Sequence, residues 1–524
     1  MDLSGLTAKT ELLKKALHIW AVQYRFVIPR EILKMYIHKY MHERMNIARY
    51  GRRYFDPAVN EEYEKWLTYR KSGTMQKPNR DLIWLSETEK LDLSQTEDCD
   101  YVLLVSKGCH TYAALGDVNL KEGDVIYFDH DRRDSYGNRS NPVLKPDFSY
   151  NTLRSFNYIG RCFAVRKSLL KQFDQTEWNP YYWLLKLSDQ NLNIRHISTI
   201  AYSDQNPMVC EEETLRRYLA ESNTEADVTV NPDGVSCTVK YPVQDEPLVS
   251  ILIPTKDGVS VLKRCVDSIY EKSTWRNFEI IIVDNGSEMP ETAAYLEDMT
   301  KAHDNLQTVR IDVPFNFSYL NNCAAEHASG EYLVLLNNDT EIITPDWLEQ
   351  MLGYAARENV GSVGVKLYYE DNTIQHGGVI VGKGGAAAHR WYRCEHDQKG
   401  YLYTLEAPND VSCCTAACLM TSRKCWDEMC GMNEELTVQF NDVDYGLRLL
   451  KAGYFNVFLP SVELYHYESK SRGIDKDQKA VKRFFEEVNW FKEKYGDYIE
   501  HDPFYNDGFD KNYDYKLIAG TGSN

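Results

Sequence analysis

Three short polar clusters in the second half of this 524-residue sequence each follow an apolar run directly. They lie at 254–257 (PTKD), 284–287 (DNGS) and 337–339 (NND). The carboxyl ends of parallel strands lie at one edge of a sheet, and ligands bind beyond that edge. A turn or a helix cap explains any single polar residue at a strand end, but three clusters in succession favour a shared site.

The residue types in these clusters fit a nucleotide that carries a diphosphate. Asp284 can accept a hydrogen bond from the imide N–H of uracil or thymine, whereas Asn337 and Asn338 can bond ribose and phosphate oxygens. Asp339 can hold a divalent cation, since Mg²⁺ and Mn²⁺ prefer oxygen ligands and take few carboxylates from a protein. The sequence therefore predicts a site for Mg²⁺ or Mn²⁺ that bridges a diphosphate.

Two further groups lie downstream of these clusters. The segment VQFNDVDYGLRLLKAGY predicts a helix that begins near Asp442, with Asp442 and Asp444 in the first turn, where the helix dipole favours carboxylates. A predicted strand ends at His466 and is followed by Lys470 and Arg472. A histidine that closes a strand is usually structural. Here the basic residues behind it suit a second metal ligand beside cations that neutralise a diphosphate.

The elements that must position these residues alternate along the chain from Pro247. Strand-like and helical segments follow one another in the order PLVSILIPT, SVLKRCVDSIYEKS, FEIIIVDNGS, ETAAYLEDMTKAH, LQTVRIDV, NNCAAEHASG and EYLVLLNNDT. This alternation predicts an α/β unit whose parallel sheet is covered on both faces. Further upstream, strand-like runs occur between 100 and 165, and the first hundred residues show helical spacing of apolar residues.

Composition and charge exclude several classes of protein. A formal net charge of −18 argues against nucleic-acid binding over the whole surface, and 43% hydrophobic residues is typical of a globular protein. No window approaches the roughly 18 apolar residues of a membrane span, and the N-terminus lacks a signal-peptide core, which predicts a cytoplasmic protein. The basic segment 25–53 predicts peripheral contact with an anionic membrane surface, with a solvated helix face as the alternative.

Two other motifs are set aside. The 13 cysteines include no CxxC pair and are expected to be free thiols rather than zinc ligands or disulfides. The segment 382–387 fits GxGxxA, but it does not open the first α/β unit, so dinucleotide binding is not expected.

With these residues assembled, the chain from about 247 to 507 resembles the inverting family 2 glycosyltransferases of GT-A fold, closest to the bacterial cell-surface-polysaccharide branch that includes many rhamnosyltransferases. The segments that carry the resemblance occur in family order: PLVSILIPTKD, FEIIIVDNGS, FNFSYLNN, SGEYLVLLNNDTEI, IQHGGVIVG, CTAACLMTSR, FNDVDYGLRLLKAGY, YHYESKSRG and DPFYN. The resemblance implies a GT-A, Rossmann-like catalytic domain with a mostly parallel sheet.

The resemblance also implies roles for individual residues. Asp442 is expected to be the catalytic base, Asp339 and His466 the metal ligands, and Asp444 a residue on the acceptor side. The implied donor contacts are Pro254, Thr255, Asp257, Asp284, Asn316, Asn337, Asn338 and Arg472. Two positions depart from the family pattern, because Asn337 replaces the first Asp of the DxD motif and Asn441 replaces the Glu of a Glu-Asp pair.

The implied reaction is a metal-dependent, inverting transfer of a sugar from a nucleotide donor to a hydroxyl of a growing, lipid-linked surface polysaccharide. The first expectation for the donor is dTDP-L-rhamnose, and a UDP-hexose or UDP-N-acetylhexosamine is the alternative. A nucleotidyltransferase is disfavoured because no Gly-rich phosphate loop follows the first strand. A non-catalytic scaffold that binds nucleotide sugars is disfavoured by the joint presence of Asp339, Asp442 and His466. The expected location is the cytoplasm, with peripheral contact at the inner face of the plasma membrane.

The region from 100 to 245 resembles the latter part of a preceding glycosyltransferase domain that lacks the catalytic carboxylates. Ser106 and Lys107 follow the strand YVLLV where a metal motif is expected, and EWNPYYW stands where an acidic pair is expected. Asp129 and Asp131 fall in a different stretch and are interpreted as incidental. The predicted organisation is a helical region at 1–99, a degenerate α/β domain at 100–205, a linker at 206–246, the catalytic domain at 247–473 and a C-terminal helix and tail at 474–524.

Overall fold

The computed structural model describes residues 82–86, 100–112, 115, 120, 123–134, 136–173, 177–467 and 478–518. The basic segment 25–53, most of the predicted helical region 1–99, and Arg472 lie outside these residues. Within that region, β1 (Leu82–Ser86) is a strand that pairs in parallel with β2 (Tyr101–Val105). The helical prediction is therefore wrong at 82–86, because this short apolar run obtains its backbone hydrogen bonds from a neighbouring strand.

A seven-stranded sheet forms the N-terminal part of the described chain, in the order β1-β2-β6-β4-β7-β3 with β5 paired to β4. Its remaining strands are β3 (Cys109–Thr111), β4 (Val125–Arg133), β5 (Arg139–Val143), β6 (Cys162–Arg166) and β7 (Ile194–Asp204). Its helices are α1 (Tyr150–Ser155), α2 (Lys167–Leu170) and α3 (Pro180–Ser188). Residues 100–205 are therefore an α/β unit, as predicted.

The predicted linker 206–246 is instead structured. It contains α4 (Glu212–Glu221) and a hairpin of β8 (Asp227–Val230) and β9 (Cys237–Lys240). The prediction is wrong because the few apolar residues of this polar stretch recur at helical spacing. Leu215, Tyr218 and Leu219 lie on one face of α4 and are buried in the main core.

The second sheet has ten strands and carries the candidate site. Its strands are β10 (Val249–Thr255), β11 (Phe278–Asp284), β12 (Leu306–Arg310), β13 (Tyr332–Leu336), β14 (Thr340–Ile342), β15 (Val360–Tyr368), β16 (Ile374–His376), β19 (Asn409–Val411), β20 (Cys418–Ser422) and β21 (Phe455–His466). The small pair β17 (Val379–Val381) and β18 (Ala387–His389) lies apart from it. The Gly-rich segment 382–387 is mainly the connection of that antiparallel pair, which agrees with its exclusion as a dinucleotide motif.

Helices connect and cover these strands. They are α5 (Val259–Lys272), α6 (Pro290–Ala302), α7 (Phe317–Glu326), α8 (Trp347–Ala355), α9 (Arg423–Glu428) and α10 (Asn441–Lys451). The C-terminal part adds α11 (Gln478–Lys494), α12 (Gly496–Glu500) and the short strands β22 (Phe509–Asp510) and β23 (Lys516–Leu517). None of the helices within the described ranges is long and apolar enough to cross a membrane.

The sheet order is β12-β11-β10-β13-β20-β15-β21-β14. The first four strands are parallel, because a crossover helix (α5, α6 or α7) lies between each strand and the next in sequence. From β20 onward the sheet is mixed, since β20 runs antiparallel to both β13 and β15 while β15 and β21 are parallel. The expectation of a mostly parallel sheet thus describes only the half formed by β12, β11, β10 and β13.

The two sheets repeat one topology. The pairs of β1-β2-β6-β4-β7-β3 are parallel, antiparallel, antiparallel, parallel and antiparallel. The pairs of β10-β13-β20-β15-β21-β14 follow the same sequence of senses. Over the described residues, no strand of the first sheet corresponds to β11 or β12. The N-terminal unit therefore has the strand arrangement of the second sheet without its outer two strands.

The two units share an apolar core and a polar contact. One buried cluster includes Val102 of the first sheet and Val249 of the second. Asp410 of the second unit accepts hydrogen bonds from Ser149 Oγ (3.0 Å), Asn151 N (2.9 Å) and Asn151 Nδ2 (2.6 Å) of the first. Burial raises the pKa of Asp410 to about 6. The units are packed against each other rather than joined only by the chain.

Candidate active site

The strand ends bring the three polar clusters together at one edge of the second sheet. Thr255 and Asp284 are direct neighbours in the register of β10 and β11. Asn338 Nδ2 donates to Thr255 Oγ1 at 2.8 Å, and the Asn285 N–H donates to the Thr255 carbonyl at 2.8 Å. Pro254 precedes Thr255 on the same strand. Residues from all three clusters are thus linked by hydrogen bonds beyond the ends of the strands.

Asp284 has a cationic partner that the sequence analysis missed. Its buried carboxylate accepts from the Ser287 N–H at 2.8 Å through Oδ1 and from Arg310 Nη1 at 2.7 Å through Oδ2. Arg310 ends β12 and lies opposite Asp284 in the register of β11 and β12, so only a correct strand alignment would have found it. The site therefore offers a carboxylate acceptor and guanidinium donors side by side.

Asp339 and His466 face each other. His466 ends β21 and pairs with Thr340, the residue after Asp339, so the two sheet strands bring both side chains to one place. Asp339 Oδ1 lies 3.1 Å from His466 Nε2, and both residues are buried. His466 Nδ1 lies 2.6 Å from Gln375 Oε1, which can only accept, so Nδ1 carries a hydrogen and Nε2 is the ring nitrogen that faces Asp339.

This arrangement fits a divalent cation. A carboxylate oxygen and an imidazole nitrogen that face each other at 3.1 Å in a buried place are ligand types that a divalent cation would take together. Among the described residues, no group of three or more His, Cys, Asp or Glu could hold a metal. Two protein ligands suit Mg²⁺ or Mn²⁺, which keep waters or phosphate oxygens in their other positions. Asn337 Nδ2 lies 3.1 Å from Nε2 and adds an amide where the family has an acid.

Asp442 lies in the first turn of α10 and is tied to the same edge. Its Oδ2 accepts from the Ala416 N–H at 3.1 Å and its Oδ1 from the Val443 N–H at 2.9 Å. The adjacent Ala417 carbonyl accepts from the Asn337 N–H at 3.0 Å. Two consecutive residues, Ala416 through its N–H and Ala417 through its carbonyl, therefore tie Asp442 and the cluster at 337–339 to one short stretch of backbone. Each oxygen keeps a further lone pair that can take a proton.

Asp444, two residues along, has a different environment. Its side chain is fully buried and accepts from Arg448 Nε (2.8 Å), Lys494 Nζ (2.8 Å) and Tyr495 Oη (2.6 Å). These contacts fasten α11 to α10. The prediction of an acceptor-side role for Asp444 is wrong, because a carboxylate without exposed surface cannot meet an acceptor.

Two predicted donor contacts already bond to the backbone. Asp257 Oδ1 accepts from Glu288 N (3.0 Å) and Met289 N (2.9 Å), just before α6. Asn316 caps α7 by accepting from Tyr319 N (3.1 Å) and donates to the Glu434 carbonyl (2.8 Å). These bonds give both residues a structural function, and their contact with a donor stays a prediction. Arg472 lies outside the described residues.

Known proteins resemble this chain in sequence. Residues 250–427 match the family model Glycosyl transferase family 2. The chain is 35% identical over 410 residues to the uncharacterized protein y4gI of Sinorhizobium fredii, which covers 74% of this chain and 45% of that protein. It is 34% identical over 385 residues to the O-antigen biosynthesis protein RfbC of Myxococcus xanthus, which covers 69% of this chain and 30% of that protein. The chain thus spans less than half the length of both relatives.

A shorter match and a solved structure add to these comparisons. A 61-residue stretch is 36% identical to N-acetylglucosaminyl-diphospho-decaprenol L-rhamnosyltransferase of Mycobacterium tuberculosis, over 12% of this chain and 20% of that protein. The structure of GalNAc-T7 with UDP, GalNAc and Mn²⁺ superposes with a TM-score of 0.36 at 14% identity, over 51% of this chain and 60% of that chain.

The comparisons confirm the resemblance on which the residue roles were based. The sheets confirm the predicted α/β architecture, and the family match confirms the family 2 resemblance within the second unit. Strand β10 opens the matched range and helix α9 closes it, so the range contains the three polar clusters. The chain contains a glycosyl transferase family 2 domain at residues 250–427.

Proposed function

We propose that the second unit transfers a sugar from a nucleotide donor to a hydroxyl of a growing surface polysaccharide, with inversion at the anomeric carbon. The observation that carries this proposal is that Asp339 and His466 lie 3.1 Å apart and that Asp442 is joined to the same edge of the sheet through the backbone of residues 416 and 417. The two proposed metal ligands and the proposed base then lie at one sheet edge, as a single displacement requires.

The proposed donor site lies at the half of the sheet formed by β12, β11, β10 and β13. The Asp284 carboxylate accepts from the imide N–H of a pyrimidine, while Arg310 donates to an adjacent carbonyl oxygen. Asn337 and Asn338 bond ribose and phosphate oxygens. Asp339 and His466 would hold Mg²⁺ or Mn²⁺, which would supply positive charge against the charge that develops on the departing diphosphate.

Asp442 is the general base of this proposal. It takes the proton of the acceptor hydroxyl as that oxygen attacks the anomeric carbon from the face opposite the diphosphate. The new bond joins the acceptor oxygen to the anomeric carbon, and the bond from that carbon to the diphosphate oxygen breaks. The hydrogen bonds from the N–H groups of Ala416 and Val443 fix the carboxylate in place without consuming its remaining lone pairs.

The best-supported donor is dTDP-L-rhamnose, and a UDP-hexose or UDP-N-acetylhexosamine is the alternative. Support comes from the name of the mycobacterial relative, an L-rhamnosyltransferase that acts on N-acetylglucosaminyl-diphospho-decaprenol, and from the O-antigen name of the relative from Myxococcus xanthus. A lipid-linked acceptor would place the protein peripherally at the inner membrane face, and segment 25–53 is the proposed contact. The N-terminal unit is proposed to be non-catalytic.

The test measures transfer by the full chain. The protein is incubated with Mn²⁺, a polyprenyl-diphosphate-linked N-acetylglucosamine and each donor in turn: dTDP-L-rhamnose, UDP-glucose and UDP-N-acetylglucosamine. We expect release of nucleoside diphosphate and one added sugar with only one of these donors. Tight donor binding without release from any of them would contradict the proposal and favour a non-catalytic scaffold.

A further inference from the structure

The side chain of Gln375 contacts His466 at two points. Gln375 is buried and is the middle residue of β16. Strand β16 pairs with β15, which in turn pairs with β21. Its Oε1 lies 2.6 Å from His466 Nδ1, and its Nε2 donates to the His466 backbone carbonyl at 3.4 Å. One amide group therefore contacts both the ring and the main chain of the same histidine.

The second contact decides which way the amide points. A backbone carbonyl can only accept, so the NH₂ group of Gln375 must face the carbonyl of His466. The amide oxygen then faces Nδ1, which must carry the hydrogen. Nε2 is the ring nitrogen that remains for a cation, and it faces Asp339 Oδ1 at 3.1 Å. The orientation of the Gln375 amide therefore selects Nε2 as the nitrogen that could bind a cation.

The support for Gln375 is itself rigid. Its backbone carbonyl lies 2.9 Å from His389 Nδ1, on β18, and its neighbour His376 is fully buried and accepts from the Thr415 N–H at 3.4 Å. Because Thr415 lies next to Ala416, this layer of side chains also supports the peptide groups that hold Asp442. The amide cannot rotate away without breaking a buried hydrogen bond.

We propose that Gln375 is the positioning residue of the metal site: it locks the His466 ring in the Nδ1–H tautomer and so aims the Nε2 lone pair at the cation shared with Asp339. The inference rests on the proposed function, since it concerns the same metal ligands. Partners of this kind orient a ligating histidine and raise its basicity, and their loss typically lowers metal affinity 10–100-fold. Gln375 itself contacts no substrate in this proposal.

The test compares Gln375→Leu with Gln375→Glu and with a matched control, Gln350→Leu. Gln350 is also buried, and it bonds to Ser461 on the same strand that ends at His466, so its removal disturbs β21 without touching the imidazole. The affinity for Mn²⁺ alone is measured by the electron paramagnetic resonance signal of the free ion. The tautomer of His466 is measured in metal-free protein from ¹⁵N chemical shifts of labelled histidines, assigned with His466→Gln.

Gln375→Leu is expected to lower the Mn²⁺ affinity by roughly 10–100-fold and to abolish the single Nδ1–H tautomer. Gln375→Glu keeps an acceptor at Nδ1 and is expected to retain the tautomer and most of the affinity, and Gln350→Leu to retain both. Unchanged Mn²⁺ affinity or tautomer in Gln375→Leu would overturn the inference.

A parallel measurement on Asp339→Asn separates the two proposals. If Asp339→Asn loses Mn²⁺ binding while Gln375→Leu retains it, only the positioning role is wrong. If Asp339→Asn also retains full Mn²⁺ binding, the proposed metal site is wrong and the positioning role fails with it.

Discussion

The two sheets of this protein have one strand order but different residues at the ends of the strands. In the second sheet, the Asn337 N–H donates to the Ala417 carbonyl and the Tyr467 N–H to the Asp339 carbonyl. In the first, the Ser106 N–H donates to the Arg161 carbonyl and the Gln205 N–H to the Gly108 carbonyl. These matching backbone bonds place Gly108 where the second sheet has Asp339.

The partner position differs as well. Cys109 pairs with Asp204 in the first sheet as Thr340 pairs with His466 in the second, so Asp204 stands in the place of the histidine. The Asp204 carboxylate accepts from Arg161 Nη1 at 3.1 Å and from Asn206 Nδ2 at 2.9 Å. In the first sheet, Arg161 and Asn206 therefore occupy the space that corresponds to the proposed cation site of the second sheet.

Gly108 shows that this filling is close-packed. It has a φ of +85°, and a Cβ added there would lie 2.6 Å from Asn206 Nδ2. An aspartate at 108 thus needs both a strained backbone and a displaced side chain. Helix α3, which corresponds to α10, has no acidic residue in its first turn. The comparison teaches that the same hydrogen bonds between strands form one sheet with, and another without, the residues proposed for metal binding and proton transfer.

The largest effect is expected when a substitution in α10 is compared with one at the corresponding helix α3. Asp442→Asn keeps the size of the side chain but removes the base, so we expect transfer to fall by roughly 10²–10⁴-fold while donor binding is nearly unchanged. Asn179→Ala removes the cap of the corresponding helix α3 and should leave transfer intact. Nucleotide release and donor titration calorimetry measure both. Near-normal turnover by Asp442→Asn would remove Asp442 from the role of base.

The next largest effect is expected when the proposed metal site of the second sheet is compared with the matching strand ends of the first sheet. Asp339→Asn is expected to weaken Mn²⁺ binding by more than about 100-fold, since partners behind the ligands already account for 10–100-fold. Asp204→Asn, at the position of His466 in the first sheet, should leave Mn²⁺ binding unchanged because Arg161 already provides the local positive charge. Equal losses in both variants would show that the first sheet also binds metal.

A third variant distinguishes two neighbouring carboxylates within the second unit. Asp444→Asn leaves Arg448 and Lys494 without their buried partner, so the free energy of unfolding should fall by about 2–3 kcal/mol. Mn²⁺ binding at low temperature should persist, because neither metal ligand contacts Asp444. Urea denaturation and metal titration test this, and a loss of metal binding without loss of stability would contradict it.

The smallest effect concerns the contact between the two units. Hydrogen bonds from His501 to Asp147 and Asp507, both 2.7 Å, raise the pKa of His501 from 6.5 to about 10. A raised histidine pKa stabilises the folded state fully below the unfolded pKa, and this stabilisation is lost as the pH rises through the folded value. Because His501 is half exposed, we expect its contribution to be no more than about 1 kcal/mol.

The measurement is the free energy of unfolding of the wild type and of His501→Gln at pH 6, 8 and 10.5. The difference between the two proteins should be largest at pH 6, smaller at pH 8 and absent at pH 10.5. A difference that grows with pH would contradict the assigned ion pair.

The sequence predicted the parts of the fold and site that depend on local pattern. The polar clusters after apolar runs, the first turn of α10 and the histidine that ends β21 are all visible in single segments. Arg310 and Gln375 were missed because their roles depend on the register between strands that are far apart in sequence. The role of Asp444 was predicted wrongly because its partners, Lys494 and Tyr495, lie at the end of α11, about 50 residues later in the chain.

The predictions for the linker at 206–246 and for residues 82–86 were wrong for related reasons. The average polarity of 206–246 concealed an amphipathic helix whose apolar residues occupy only one face. The strand at 82–86 is stabilised by β2 rather than by its own composition. Both depend on neighbours that a local pattern does not reveal.

Residues 416 and 417 join the two proposed functional groups through a short stretch of backbone. The Ala416 N–H donates to Asp442 and the Ala417 carbonyl accepts from the Asn337 N–H, so two consecutive residues fix both the proposed base and the start of the cluster at 337–339. The two backbone groups belong to different peptide planes, so the φ and ψ angles of these two residues set the distance between them. A substitution that changes the backbone at 416–417 is therefore expected to disturb both groups together.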